Sequence, residues 1–309
     1  MKLAGTEKTN PRSRGLDRKS TLDILRILNR EDEGVAVAVQ KELPQIARAV
    51  DAIVRSLERG GKLIYVGAGT SGRIAIQDAA ECPPTFGTRP QSVQALMAGG
   101  GKALRGAADG AEDSATSGAR DLAAAGLAKG DVVVGITASG TTPFVLGAVE
   151  FARSRGAVTI GVTSNAHSAL AREARIAIVP QTGPEVIAGS TRLKAGTAQK
   201  MVLNLLSTTA MVRLGRVYDN WMVYVALTNH KLRQRGARIL EEAAGVSTST
   251  AARALRQTGH DLPVALVMLK SGRSASDSKR LLTHFGGNVR RALESTAARG
   301  GVRKTGRGK

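Results

Sequence analysis

The spacing of apolar residues changes along the chain and divides it into regions. A short helix is predicted over 22–30. Over 35–58, Val39, Leu43, Ile46, Val50, Ile53, Val54 and Leu57 recur at helical spacing. Pro44 breaks that stretch and opens a second helix, which Gly60 and Gly61 end. Short apolar runs then alternate with helical patterns. The runs are Leu63–Val66, Val93–Met97, Asp131–Ile136, Val158–Val162 and Ile176–Val179. Helices are predicted over 71–81, 102–111, 114–126, from Pro143 to about Arg155, and over 168–173, with Pro83-Pro84 stopping the first of these. Strands that are apolar on both faces and separated by helices predict a doubly wound, five-stranded parallel sheet in an α/β fold. Residues 196–214 carry Ala198, Met201, Val202, Leu205, Leu206, Thr209 and Val212 on one helical face, and a further helix is predicted over 220–235. From about 237 the pattern becomes short helices over 238–244, 248–257, 262–270 and 275–293, broken at Gly245, Gly259 and Gly272. The expected organisation is an N-terminal arm (1–20), an α/β domain (21–236), a small all-helical domain (237–294) and a basic tail (295–309).

Composition supports this picture. With 309 residues and 42% hydrophobic content, a sizeable core is available; at 3% aromatics it is built mainly of Ala, Val, Leu and Ile. No apolar run reaches the roughly 18 residues of a membrane span, and the N-terminus lacks an apolar signal core, so a cytoplasmic protein is expected, with no membrane partner. Cys82 stands alone, and the four histidines lack metal-ligand spacing, so no metal is expected. The formal charge of +20 raises the question of nucleic acid. Half of that excess lies at the ends, with net +4 over 1–20 and net +6 over 290–309. No helix-turn-helix, zinc finger or RNA-stacking motif accompanies it, so no nucleic-acid partner is expected.

Three segments carry candidate chemistry. Gly67-Ala68-Gly69-Thr70-Ser71-Gly72-Arg73 follows the first strand and opens a helix, matching G-x-G-x-x-G. A dinucleotide site asks for an acid about 20 residues further on, to hold the ribose. None lies between Glu81 and Asp109. The hydroxyls of Thr70 and Ser71, with the free N–H groups of a helix start, suit a phosphate monoester instead. The second segment, Thr137-Ala138-Ser139-Gly140-Thr141-Thr142-Pro143, sets hydroxyls before another helix. Loops after two strands of one parallel sheet open on a common crevice. The third, Gly189 to Lys200, holds Ser190, Arg192 and Lys194 at the start of a long helix. Cations there oppose the helix dipole unless an anion is present, which points to a bound phosphate or carboxylate.

At these residues the sequence resembles the sugar isomerase (SIS) fold, and within it the N-acetylmuramic acid 6-phosphate etherases. Further matching stretches are Thr6–Pro11, Ala80-Glu81-Cys82-Pro83-Pro84-Thr85, Gly110-Ala111-Glu112-Asp113-Ser114 and, more weakly, Asn229-His230-Lys231-Leu232. The resemblance covers roughly residues 5–293. It implies a homodimeric lyase, without metal or nucleotide cofactor, that cleaves the C3 lactyl ether of its sugar phosphate during peptidoglycan recycling. It implies Glu81 as the acid that protonates departing lactate and Glu112 as the base. It implies phosphate-loop positions at Ser71, Thr137, Ser139 and Thr142. Together with the reading of the loops, the expected substrate site also takes in Gly69, Thr70, Gly140, Ser190, Arg192, Lys194 and Lys231. An aldose–ketose isomerase on the same fold, and a regulatory sugar-phosphate sensor related to the glucokinase regulatory protein, are the alternatives; the paired glutamates favour the lyase.

Overall fold

The computed structural model describes residues 5–106 and 110–300. The first part of the chain forms α1 (Thr21–Gln40), α2 (Leu43–Glu58), β1 (Leu63–Gly67), α3 (Gly69–Phe86), β2 (Val93–Met97) and α4 (Gly100–Ala103). It continues through α5 (Ala115–Ala124), β3 (Val132–Ile136), α6 (Pro143–Ser154), β4 (Val158–Val162), α7 (Ala169–Glu173), β5 (Ile176–Ile178) and α8 (Lys194–Arg213). Each strand falls where an apolar run predicted it. All five pair in parallel, in the order β2-β1-β3-β4-β5.

The sheet is buried on both faces, which is why its strands read as continuous apolar runs. Ile64, Val66 and Val133 pack with Leu122 of α5 and Phe144, Val145, Ala148 and Val149 of α6. Tyr65 points to the other face, where its hydroxyl donates to Asp78 Oδ2 of α3 at 2.9 Å. Asp78 Oδ1 accepts from Asn204 Nδ2 (2.9 Å) and Ser207 Oγ (3.1 Å), both on α8. A hydrogen-bonded carboxylate thus ties α3 and α8 to the centre of the sheet.

Strand register sets where ligands can bind. Met97, Gly67, Ile136, Val162 and Ile178 are successive partners across the sheet. The segments after β1, β3, β4 and β5 therefore leave from one edge. Strand order reverses between β1 and β3, and such a switch point opens a crevice at the carboxyl ends.

The remaining helices are α9 (His230–Ala244), α10 (Thr248–Gln257), α11 (Leu262–Ser271), α12 (Ala275–His284) and α13 (Val289–Gly300). Their core holds Ile239, Leu240, Leu255, Leu266 and Val289, joined by Val223 and Val225. Side-chain caps start all five: Asn229 on Leu232 N, Ser247 on Thr250 N, Asp261 on Val264 N, Ser274 on Asp277 N and Asn288 on Arg291 N. Gly245 and Gly272, both left-handed, end α9 and α11. No helix among the described residues is long and apolar enough to cross a membrane.

Several expectations change. The chain divides into two units: one takes in the described residues up to Glu81 and Arg89–Ala210, the other Cys82–Thr88 and the described residues from Met211. The second unit thus begins at 211 rather than 237. It includes the last turn of α3, because that helix runs through Pro83 and Pro84 to Phe86 instead of stopping before them. α1 is one helix to Gln40, so its polar stretch Glu31–Gly34 is not a break. Residues 220–229 are not helical, and α9 starts only at His230, capped by Asn229. Residues 275–293 are two helices separated at Gly286-Gly287. The predicted helix 102–111 falls partly on residues outside the description; α4 covers Gly100–Ala103 and a 3-10 turn Ala111–Asp113. α13 extends to Gly300, into the stretch expected as a tail; 301–309 lie outside the described residues.

The N-terminal arm is fastened rather than free. It forms 3-10 turns at Gly5–Glu7, Pro11–Ser13 and Leu16–Arg18. Asn10 Nδ2 donates to Glu31 Oε2 at 2.8 Å and Ser13 Oγ to the Val186 carbonyl at 2.7 Å.

Candidate active site

The loop after β1 turns sharply into α3. A Cβ on Gly67 would meet Gly72 N at 2.8 Å, and one on Gly72 would meet Met97 Cγ at 2.6 Å, so the motif glycines let helix and strands touch. Gly69 and Thr70 form the first turn of α3. Ser71 is buried at the next position, and its Oγ donates to Gln199 Oε1 of α8 at 2.9 Å. The Nε2 of Gln199 is buried without a partner among the described residues. Ser71 and Gln199 thus join the start of α3 to α8.

The loop after β3 is organised by its own hydroxyls. Thr137 Oγ1 lies 2.7 Å from Thr142 Oγ1 and 3.2 Å from Ser139 Oγ. Ser139 Oγ accepts from Thr141 N at 3.2 Å and Thr141 Oγ1 at 3.0 Å. Gly140 has φ +70° and a Cβ there would lie 2.2 Å from Ser168 Oγ, so glycine is required twice over. The β4 loop braces this one: Thr163 Oγ1 donates to the Ala138 carbonyl (3.1 Å) and Asn165 Nδ2 to the Ser139 carbonyl (3.2 Å). Pro143 opens α6, as its place after Thr142 predicted.

Glu112 is exposed on the 3-10 turn Ala111–Asp113, just before Ser114 caps α5 through Ser117 N. It lines a cavity of about 320 Å³ together with Ala68, Gly69, Arg73 and Met97. Arg73 shapes this cavity, donating to the carbonyls of Ala103 (2.8 Å) and Gly106 (3.0 Å) and so holding the segment after β2 against the start of α3. The structure therefore brings Glu112 and the glycine-rich loop after β1 to one cavity. Glu81 is exposed on α3 and does not line it. Ten helical residues separate Glu81 from Ser71, a rise of about 15 Å.

The third segment differs most from its sequence reading. Lys194 is only 4% exposed, and its Nζ donates to Glu31 Oε2 at 2.6 Å. The anion at the start of α8 is the chain's own Glu185, fully buried, whose carboxylate accepts from Lys194 N (3.0 Å) and Ala195 N (2.9 Å). Lys194 is thus a buried structural cation. Burial pushes the Glu31 carboxyl up, but hydrogen bonds from Lys194, Arg12 and Asn10 outweigh it and hold it at about 2. Ser190 is half-buried and Arg192 exposed on the loop before α8. Lys231 is exposed in the first turn of α9, within the second unit.

Gln199, Arg73, Thr163 and Asn165 were not singled out as site residues by the sequence. Only Gln199 had a signal, as an amide one turn past the start of a long helix.

Comparison with known families places the chain in a class. Residues 112–209 match the SIS domain, and residues 45–153 match the glucokinase regulatory protein N-terminal SIS domain. Over most of its length the chain is also similar to curated etherases. It is 48% identical to N-acetylmuramic acid 6-phosphate etherase 1 of Bacillus licheniformis over 93% of this chain and 95% of that one. It is 48% identical to the N-acetylmuramic acid 6-phosphate etherase of Klebsiella aerogenes (94% and 97%), and 54% identical to that of Symbiobacterium thermophilum (86% and 89%). The chain belongs to the N-acetylmuramic acid 6-phosphate etherase family.

Proposed function

We infer that this protein is a carbon–oxygen lyase that cleaves the C3 D-lactyl ether of N-acetylmuramic acid 6-phosphate, giving N-acetylglucosamine 6-phosphate and D-lactate. The observation that carries this reading is the cavity shared by Glu112 and the Gly69 helix start, in a chain 48% identical to an etherase along nearly all of both sequences.

An ether oxygen is a poor leaving group, so the sugar itself must be activated. Ring opening exposes the C1 aldehyde and acidifies the C2 proton. A base removes that proton, and an acid protonates the C3 oxygen as lactate leaves, forming a C2–C3 double bond. Water then adds its hydroxyl to C3 and a proton returns to C2. Glu112 is the proposed base and Glu81 the proposed acid. The 6-phosphate is remote from the breaking bond and supplies binding energy that orients the sugar. Its proposed ligands are the Gly69–Ser71 helix start and the hydroxyls of Thr137, Ser139 and Thr142. Neither loop needs a metal or nucleotide for this role. Ser190 and Arg192 are proposed to contact the lactyl carboxylate side, whereas the buried pairing of Lys194 with Glu31 argues for a supporting role.

The length of α3 between Ser71 and Glu81 favours a site completed by two subunits. We propose a homodimer in which Glu81 of one subunit serves the phosphate loops of the other, acting in the cytoplasm on recycled peptidoglycan sugars. Purified protein incubated with N-acetylmuramic acid 6-phosphate is expected to release D-lactate and N-acetylglucosamine 6-phosphate in equal amounts. Conversion to a ketose phosphate without lactate would instead identify an isomerase.

A further inference from the structure

A second cleft in the first unit lies away from the candidate active site. It has a volume of about 620 Å³ and runs between α2 and the amino ends of β3, β4 and β5. The hydroxyl-rich loops leave from the carboxyl ends of the same strands, so the two sites are at opposite edges of one sheet.

Three separate segments bring cations to this cleft. α2 supplies Arg48, Arg55 and Arg59, the turn before β3 supplies Lys129, and the residue before β5 is Arg175. The single carboxylate facing these five is Asp51. Arg48 bonds Gln45 Oε1 at 2.9 Å, but among the described residues the side chains of Arg55, Arg59, Lys129 and Arg175 form no salt bridge. Ser56 also lines the cleft. It is 6% exposed, and its Oγ is buried without a hydrogen-bond partner among the described residues.

The dipole of α2 accounts for part of this pattern, since Arg55 and Arg59 lie at its C-terminal end. It does not account for Arg48 in the second turn. Nor does it account for Lys129 and Arg175, which come from other elements. Like charges repeated along one helix face repel. Their convergence around an unsatisfied buried hydroxyl matches an absent anion. No aromatic residue lines the cleft, so it offers no surface for stacking a base.

We propose that this cleft binds a small polyphosphate, an anion with two or more linked phosphate groups, gripped by Arg55, Arg59, Lys129 and Arg175 over Ser56. One phosphate would leave most of the five cations uncompensated, whereas linked phosphates span from α2 to the starts of β3 and β5. Binding there joins α2 to the sheet and stabilises the first unit by mass action.

The test is calorimetric titration of the full-length protein with inorganic tripolyphosphate at 0.15 M salt, paired with thermal unfolding. The wild type is expected to bind at one site and unfold at a higher temperature. The Arg55→Gln/Arg175→Gln double variant is expected to bind at least tenfold more weakly while releasing lactate at the wild-type rate in the absence of tripolyphosphate. Saturating N-acetylglucosamine 6-phosphate is expected not to displace tripolyphosphate. Unchanged affinity in the double variant, displacement by the sugar phosphate, or an equal loss in an Arg290→Gln/Arg291→Gln control would each overturn the proposal.

Discussion

Replacing Glu31 with Gln removes one charge from a buried pair and leaves the Lys194 ammonium 4% exposed with no opposing carboxylate at 2.6 Å. Breaking a buried pair on one side costs about 3–5 kcal/mol. The depressed pKa of Glu31 corresponds to a similar figure. That pKa falls from 4.5 to about 2 in the folded chain, and that gap is worth about 3 kcal/mol. Because the folded value is depressed, the contribution is fully present above pH 4.5 and is lost as pH falls towards 2. By pH 3 it shrinks to about 1.4 kcal/mol. The measurement is the urea-unfolding free energy, followed by circular dichroism, of wild type and Glu31→Gln at pH 7 and pH 3. The expected gap is about 3 kcal/mol at pH 7 and less than half that at pH 3. Adding Lys194→Met to Glu31→Gln is expected to restore part of the loss, because the stranded ammonium is then gone. A gap under about 1 kcal/mol at pH 7, or one that does not narrow at pH 3, would refute the reasoning.

Other consequences can be checked separately. Glu112→Gln and Glu81→Gln are each expected to lower kcat for lactate release by about 10²–10⁴-fold with little change in KM, as measured by steady-state kinetics. If Glu81 acts across the dimer, mixing Glu81→Gln with Ser71→Ala subunits recovers activity; mixtures as inactive as both parents would exclude sharing. Gly140→Ala, which forces a Cβ against Ser168 Oγ at a left-handed position, is expected to raise the KM for the sugar phosphate at least tenfold. Burial raises the Asp78 carboxyl above its usual 3.8 against the hydrogen bonds of Tyr65, Ser207 and Asn204. Protonation of Asp78 therefore favours the fold below pH 3.8, and its ionisation costs stability as pH rises through the folded value. Tyr65→Phe removes one of the bonds that offset that cost and is expected to destabilise by about 1–3 kcal/mol at pH 7, read from thermal unfolding.

The sheet was legible because each strand is a short apolar run bounded by turn residues, and a fully buried parallel strand carries no other pattern. The loops after β1 and β3 were legible as sharp strand-to-helix turns because their glycines and hydroxyls sit at those junctions. The start of α8 was not. The sequence called for an anion beside Lys194 but could not reveal that Glu185 supplies it, nor that Glu31 pairs with Lys194 across 163 positions. Glu31 lay in an acidic stretch that reads as solvated, whereas in the fold it is buried. Apolar residues near Trp221 and Val223 mimicked a helix because this irregular segment also buries them, in the core of the second unit. The Pro83-Pro84 pair was read as a stop, yet α3 continues to Phe86, with Gly87 N closing on the Pro83 carbonyl at 3.0 Å.

In the proposed reaction lactate leaves by elimination and water then adds to C3. Turnover of N-acetylmuramic acid 6-phosphate in ¹⁸O-enriched water tests it most directly, with both products analysed by mass spectrometry. One solvent oxygen is expected at C3 of N-acetylglucosamine 6-phosphate and none at the C2 hydroxyl of the released D-lactate. Solvent oxygen in that lactate hydroxyl would mean cleavage on the lactyl side of the ether and would contradict it.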